Sequence, residues 1–331
     1  MSHREISAQN VCVVGGAGFL GSHLVDHLVN DRYCSVLVID NLCAGHKKFI
    51  HPMANFFHHD ITGSEEFLRK LFQREKIRFV FNYAAWPYIE DSYIRPLHVF
   101  EVNCMGAIKV INAAQEAGCE GVLQVSSAEL YGSNMNGQLS ELSPVEPHST
   151  YGAAKAAVDA YCRCAWKERK TPVIALRQFN CVGERETHPY VIPEIISQIA
   201  KQHELRGQDA HIIPGVSLGN NSTRDFLYAG DAVRMAVELL EKGEFGQVYN
   251  LGSEDCIKIY DLAKLIGEIM GFERVMIHTD PSRIRPWEVW SLTSDNTKLH
   301  AAIHYRPRVN LREALERTIG YFRNNENRWD W

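Results

Sequence analysis

Val11-Cys-Val-Val14-Gly15-Gly16-Ala17-Gly18-Phe19-Leu20-Gly21-Ser22 is the stretch that decides the fold. Its apolar start reads as a strand, and an amphipathic run to Val29 reads as the helix that follows. Glycines between the two have separate uses: Gly15 for a tight turn, Gly18 for close approach of backbone to a pyrophosphate, Gly21 for packing helix against strand. The helix N-terminus, with Phe19 and Leu20 in its first turn, would then hold the phosphates. A glycine pattern alone is weak. Here a second strand, Ser35-Val-Leu-Val-Ile-Asp40, ends in an acid about twenty residues on, as a dinucleotide fingerprint requires. The Asp40 carboxylate can accept from adenosine ribose hydroxyls and would repel a 2′-phosphate, so the expected cofactor is NAD rather than NADP. Lys47 and Lys48 nearby read as a solvated loop.

Outward from this start, Asn55 to Ile61 reads as a third strand that carries Asp60 to the adenine edge. Ser64 to Arg74 is a capped helix, and Phe79 to Tyr83 a fourth strand running into Ala84-Ala85-Trp86, where backbone must pass close to a cofactor. Pro96 to Ala117 reads as a long helix containing Asn103. Val122-Leu-Gln-Val-Ser126-Ser127-Ala128-Glu129 is an apolar run that delivers hydroxyls and a carboxylate at its C-terminal end, where open α/β sheets keep their chemistry. Ser133 to Ser149 is a loop, and Pro172 to Arg177 a strand ending near Phe179-Asn180. Strand and helix alternate in this way over residues 1–180, which gives an α/β, doubly wound parallel (Rossmann) sheet, with later segments returning to it. Residues 181–331 look like a smaller, mixed substrate lobe: a helix opening at His188 to Pro193, loop and short strand from Arg206 to Asn221, Ser222 to Phe226 ahead of a helix near Gly230-Asp231, a strand at Gln247 to Leu251, and Arg283 to Trp287 in a late loop.

Tyr151-Gly-Ala-Ala-Lys155 puts a phenol and an ammonium on one face of a helix. At ~4 Å and an effective dielectric of ~20 their attraction is ~4 kcal/mol. That sets an upper bound of roughly 2 to 3 pKa units on the lowering of the phenol, before desolvation takes some back. Tyr151 is therefore the expected base and Lys155 its activator.

Bulk composition narrows the function. The 331 residues carry a formal net charge of -5 with no basic block, which argues against a nucleic-acid surface. No apolar run is long enough to span a membrane, and the N-terminus lacks a signal-peptide core. Nine cysteines without a Cys-x-x-Cys pair read as reduced thiols of a cytoplasmic protein. His58-His59 and the other histidines show no metal spacing, so no metal is assigned.

The chain resembles the extended short-chain dehydrogenase/reductases that act on nucleotide sugars, the NAD-dependent epimerase/dehydratase family. The likeness rests on Gly15 to Gly21, Asp40-Asn41-Leu42, Asp60-Ile61, Ala84-Ala85, Asn103, Ser126 to Gly132, Tyr151 with Lys155, Arg177 to Asn180, Arg224-Asp225-Phe226 and Asp295 to Lys298. It implies a tightly held NAD that is used and regenerated in each turnover. Tyr151 would take the sugar 4-hydroxyl proton, Lys155 would bind the nicotinamide ribose, and Ser127 would hold the 4-oxygen. Asn180 would meet the diphosphate of a nucleotide-diphosphate sugar, Val191 would line the base, and Arg224 with Arg283 or Arg285 would neutralise the phosphates.

In this family the 4,6-dehydratases carry Glu at the position of Glu129, as do the related UDP-glucuronate decarboxylases; the resemblance implies 4,6-dehydration with Glu129 as the C5 base, and a structural role for Glu129 is the alternative. Ala128 departs from the pattern, because dehydratases carry an acid or hydroxyl there. Glu90 and Cys181 are candidates for the missing acid, and Trp86 for shaping the sugar pocket. A 4-epimerase, a UDP-glucuronate decarboxylase and a non-catalytic NAD-binding regulator stay open beside the dehydratase. A homodimer is implied as well, through helices around Pro96 to Ala117 and Tyr151 to Lys167.

Overall fold

The computed structural model describes residues 4–133, 137–186, 190–206 and 213–324. In chain order the first strands are β1 (Asn10–Val14), β2 (Ser35–Asp40), β3 (Asn55–His58), β4 (Phe79–Asn82), β5 (Gly121–Ser127) and β6 (Val173–Gln178). Between them run helices α1 (Phe19–Asn30), α2 (Glu65–Arg74), the short α3 (Asp91–Ile94) and α4 (Pro96–Phe100), then α5 (Ala107–Glu116) and α6 (Thr150–Arg169). The expected helix from Pro96 is continuous, but Glu101–Gly106 widens into a π-helical turn that carries Asn103.

The second half opens with β7 (Asn180–Val182), α7 (Val191–Arg206), β8 (Gly215–Leu218), β9 (Thr223–Tyr228) and α8 (Ala229–Lys242). Then come β10 (Val248–Leu251), β11 (Cys256–Lys258), α9 (Ile259–Ile269), β12 (Met276–Thr279), β13 (Ser291–Leu292), α10 (Thr297–Ala302) and α11 (Leu311–Asn324). The helix expected to open between His188 and Pro193 is α7, described from Val191; His188 and Pro189 lie outside the described residues, as does part of the Arg206 to Asn221 loop. Thr223 to Tyr228, expected only as the approach to a helix, is itself a strand.

Among the described residues the main sheet has seven strands in the order β10-β6-β5-β4-β1-β2-β3, and every pairing is parallel. Strand order reverses between β1 and β4, so their C-terminal ends part and leave a crevice. Near-continuous apolar strands fit this architecture because helices cover both faces. One face packs Val13, Val38, Phe81 and Leu123 against Leu24, Val25 and Leu28 of α1 and Val233, Ala236 and Leu240 of α8. The opposite face packs Val14, Ile39 and Val80 against Leu68 and Leu71 of α2, Val110 of α5 and Val158 of α6. Burying each such Val or Leu side chain contributes about 1.5–3 kcal/mol.

β10, α8 and α10 belong to this layer although they follow residue 180. The remaining elements form a separate core: β9 pairs with β7, β11 and β13, and β8 pairs with β12. Ile195 and Ile199 of α7, Ile266 of α9 and Ile319 of α11 fill it.

Two glycines in the first turn have a steric reason. Gly15 sits at φ +80°, and a Cβ there would stand 2.6 Å from the Ala84 amide nitrogen. A Cβ on Gly21 would meet the Gly15 carbonyl oxygen at 2.0 Å. The loop after β4 therefore presses on the turn after β1, and small residues are required on both sides of that contact.

Candidate active site

One cavity of about 780 Å³ lies over the C-terminal ends of the sheet and under the second-half elements. At its floor, Gly18 faces open space: a Cβ there would meet only the Gly15 carbonyl oxygen, at 3.4 Å. Gly18 also occupies the N-cap of α1 and brings no side chain to cap it, so the helix start is left to a ligand. Phe19, Leu20 and Gly21 line the same end.

Asp40, at the end of β2, accepts from the amides of Ala17 at 3.0 Å and Leu42 at 2.8 Å. Burial pushes this carboxyl up, against the pull of those amides. Asn41 donates to Asp60 at 2.8 Å, and Asp60 also accepts from the Thr62 amide. Asp60 itself lies beyond the end of β3. Ile61, Ala84 and Ala85 complete the wall.

Two expected site residues, Asn103 and Trp86, are absent from the cavity lining. Asn103 is fully buried in the π-helical turn behind the wall, where its Oδ1 accepts from the Trp86 amide at 2.7 Å and its Nδ2 donates to the Trp86 carbonyl at 3.0 Å. It pins the loop after β4 and does not line the cavity. Trp86 also stands outside the lining. Its indole N–H donates to Asp91 at 2.8 Å, and its ring packs edge-on to Tyr88 and His98. Both corrections have one cause: held at its backbone by Asn103, residue 86 turns its side chain toward α3 and α4.

The reactive groups converge from β5 and α6. Ser149 caps α6 by accepting from the Gly152 amide at 3.1 Å, which fixes the helix start and hence Tyr151 and Lys155. Tyr151 shares a hydrogen bond with Ser127, and Ser127 also accepts from the Glu129 amide at 3.2 Å. The ammonium of Lys155 lies 5.7 Å from the centre of the Tyr151 ring and donates to the Val125 carbonyl at 3.2 Å.

The expected lowering of the phenol is not found. Burial pushes Tyr151 up to about 12, against the Ser127 hydrogen bond, and Glu129 pushes the same way. Burial also brings Lys155 down to about 8. Burial is the largest cause at both groups, and the ammonium donates to a backbone carbonyl.

Charged groups of the second half close the other end. Arg224, on β9, lies 3.6 Å from Glu288. Burial draws its guanidinium below the ordinary value, against Glu129 and Glu288. Arg285 lies 4.0 Å from Glu129 and 3.5 Å from Glu90, and these acids outweigh burial to hold it charged. Arg283 sits at the rim, paired with Glu194 at 3.0 Å and Asp280 at 3.5 Å. Phe179, Asn180 and Val191 line the space between.

The Asn180 Oδ1, the Gln178 Oε1 and the Tyr83 hydroxyl are buried without a hydrogen-bond partner among the described residues. These unpaired oxygens can accept from the hydroxyls of a bound ligand, while the open start of α1 suits its phosphates. Neither Tyr83 nor Gln178 stood out in the sequence. Both sit at ends of apolar strands, and only the position of a strand end relative to the crevice could have marked them. Among the described residues no three His, Cys, Asp or Glu side chains gather as metal ligands, and no helix is long and apolar enough to cross a membrane.

The chain is similar to proteins with this architecture. It is 33% identical over 97% of its length, and 91% of the relative's, to dTDP-D-glucose 4,6-dehydratase of Mus musculus. Among solved structures it is similar to a dTDP-glucose 4,6-dehydratase of Streptomyces venezuelae with NAD bound (TM-score 0.85, 26% identity, 97% of this chain and 99% of that one). It is also similar to a UDP-glucose 4-epimerase of Thermotoga maritima with UDP-glucose (TM-score 0.84, 27% identity, 95% and 98%). The sequence pattern described as GDP-mannose 4,6 dehydratase matches residues 12–318, and the chain therefore belongs to that family, within the extended short-chain dehydrogenase/reductases.

Proposed function

We propose that this protein is an NAD-dependent nucleotide-sugar 4,6-dehydratase. The observation that carries this is the convergence of Ser127, Glu129 and Tyr151 in one cavity, with Glu129 close enough to act on the Tyr151 phenol. Bound NAD supplies the hydride acceptor for sugar C4 and the hydride donor for C6. Gly18 and the start of α1 take its pyrophosphate, and Asp40 takes its adenosine ribose. Ser127 holds the sugar 4-oxygen while Tyr151 takes its proton, with Lys155 at the nicotinamide ribose. A ketone at C4 makes the C5 proton acidic, and Glu129 removes it as water leaves C6. Asn180, Arg224 and Arg285 meet the diphosphate, and Val191 lines the base. Arg285 suits this better than Arg283, whose charge is already taken at the rim.

A 4-epimerase is the second reading. It is favoured by Arg285 beside Glu129 and by the methyl group of Ala128, which offers no proton next to it. The discriminating experiment incubates the protein with a panel of dTDP-, UDP- and GDP-hexoses and weighs the products. Loss of water supports the dehydratase. Unchanged mass with inverted C4 supports the epimerase, loss of carbon dioxide a decarboxylase, and no product a regulator; each of these overturns the proposal.

The second-half elements other than β10, α8 and α10 serve in this proposal as the substrate lobe. We also propose a homodimer. Ile94 and Leu97 are 77% and 85% exposed on α3 and α4, beside α6, and Met105 adds to the same apolar side. A monomeric mass by light scattering at micromolar concentration overturns it. The free thiols, three of them exposed, fit a reducing, cytoplasmic setting.

A further inference from the structure

The cavity holds several carboxyl groups besides Glu129, and one differs from the rest. Glu90, Glu194 and Glu288 each face an arginine, at 3.5, 3.0 and 3.6 Å. Asp40 and Asp60 accept from backbone amides. Glu186 has neither kind of partner among the described residues. It is 4% exposed and lines the cavity, and its Oε2 makes no hydrogen bond.

The segment before it is fixed in place. Arg185 pairs with Asp26 of α1 at 2.8 Å, and His23 donates to the Glu184 carbonyl at 2.7 Å. Gly183 packs so closely that a Cβ would meet Ala229 at 2.9 Å and the Phe19 ring at 3.4 Å. A carboxylate at Glu186 would be an unpaired charge away from water. Burial accordingly raises this carboxyl well above its usual range, which favours the protonated form.

Elimination of water needs such a proton, because hydroxide is a poor leaving group. Next to Glu129 the chain offers only the Ala128 methyl, packed among Leu130, Tyr131 and Phe179. Of the other candidates, Glu90 is an exposed residue at the rim, paired with Arg285. The Cys181 thiol is pushed well up by burial and gives its proton less readily.

Resting on the dehydratase reading above, we propose that Glu186 is the acid that protonates the leaving C6 oxygen. Glu129 takes the C5 proton, and the C5–H electron pair becomes the C5=C6 bond. The C6–O bond breaks with its pair on oxygen, which takes the Glu186 proton and leaves as water. Glu129 gains one proton and Glu186 loses one. Over the full cycle C4 remains a ketone, so the proton that Tyr151 took stays on the enzyme and is the one Glu186 must regain. The phenol of Tyr190, at the start of α7, feels the fields of both Tyr151 and Glu186.

The test is Glu186→Gln in the holoenzyme, since an amide matches a neutral carboxyl in shape. Three signals are followed over one turnover: reduced-cofactor absorbance, deuterium uptake at C5 from heavy water, and product mass. The expected result is normal formation of reduced cofactor, retained C5 exchange, and water loss slowed by about 10²- to 10⁴-fold. Water loss at the wild-type rate overturns the inference. So does a variant that retains less cofactor or forms no reduced cofactor, because Glu186 then supports binding. If the glutamine variant does not fold, Glu186→Asp keeps the acid one methylene short and is expected to show the same split, with elimination slowed more than reduced-cofactor formation; equal slowing of both overturns the inference. Wild-type protein that removes water from no nucleotide sugar fails the dehydratase reading itself, whereas wild-type water loss with an undiminished glutamine variant fails this inference alone.

Discussion

Two arginine–carboxylate groups flank β5, and they are built in opposite ways. Arg177 and Asp159 are each 2% exposed and bonded at 2.9 Å. The guanidinium also donates to the Tyr131 hydroxyl at 2.8 Å, Tyr131 donates to Asn250 at 2.7 Å, and Asn250 donates to the Leu139 carbonyl at 2.7 Å. Every strong donor in that chain is used. In the cavity, Arg224 and Arg285 approach Glu288 and Glu129 only to 3.6 and 4.0 Å, too far for good hydrogen bonds. A saturated network locks strands and helices together, whereas an unsaturated one of the same residue types keeps its donors for a ligand. Charge type alone therefore does not separate structure from function. Hydrogen-bond saturation does.

That contrast breaks first at the reacting groups. Tyr151→Phe and Glu129→Gln should each slow product formation by about 10²- to 10⁴-fold while leaving thermal stability nearly unchanged. Stopped-flow absorbance separates them: no reduced cofactor forms without the Tyr151 hydroxyl, whereas it accumulates in Glu129→Gln. Near wild-type turnover by Glu129→Gln makes that carboxylate structural and hands the lead to the 4-epimerase.

On the closed side, Asp159→Ala should destabilise the fold by about 3–5 kcal/mol, because it strands a buried guanidinium. Urea denaturation measures this, and a loss under 1 kcal/mol would erase the distinction between the two groups.

Lys155 sharpens the comparison, being a buried cation held by a carbonyl. Its folded-state pKa, about 8, lies below the ordinary 10.5, so above pH 8 the unfolded chain binds the proton more tightly than the folded one. The lysine's contribution to stability therefore rises with pH from about 8 to 10.5, and below pH 8 the buried charge costs about 3 kcal/mol. Lys155→Met should raise the melting temperature of cofactor-free protein at pH 7, with the gain shrinking toward pH 10. A lower melting temperature at pH 7 contradicts this.

The smallest effect is expected at Arg285. Arg285→Ala should weaken nucleotide-sugar binding roughly tenfold, the size of one charge-assisted contact, with little change in stability. Calorimetric titration measures it. A large stability loss would move Arg285 into the saturated class.

Much of the cofactor end was legible before any coordinates, because its determinants are local. The Gly15 turn needs φ +80°, a strand ending in Asp40 follows from alternation of elements, and Tyr151 and Lys155 share a face through helix geometry. Asn103 and Trp86 lie outside the cavity lining for the converse reason. Their sequence positions say nothing of the two hydrogen bonds that turn residue 86 away from the cavity. Sequence by itself determined the parallel, doubly wound character of the main sheet, the open glycine turn and the placement of Ser127, Glu129 and Tyr151 at the ends of neighbouring elements, since short-range backbone sterics and apolar periodicity settle these. Only the tertiary structure decided which charges are paired, which way burial drives Tyr151 and Lys155, and that Glu186 reaches the cavity without a partner. Desolvation and pairing are sums over segments far apart in the chain, and no local pattern encodes such a sum.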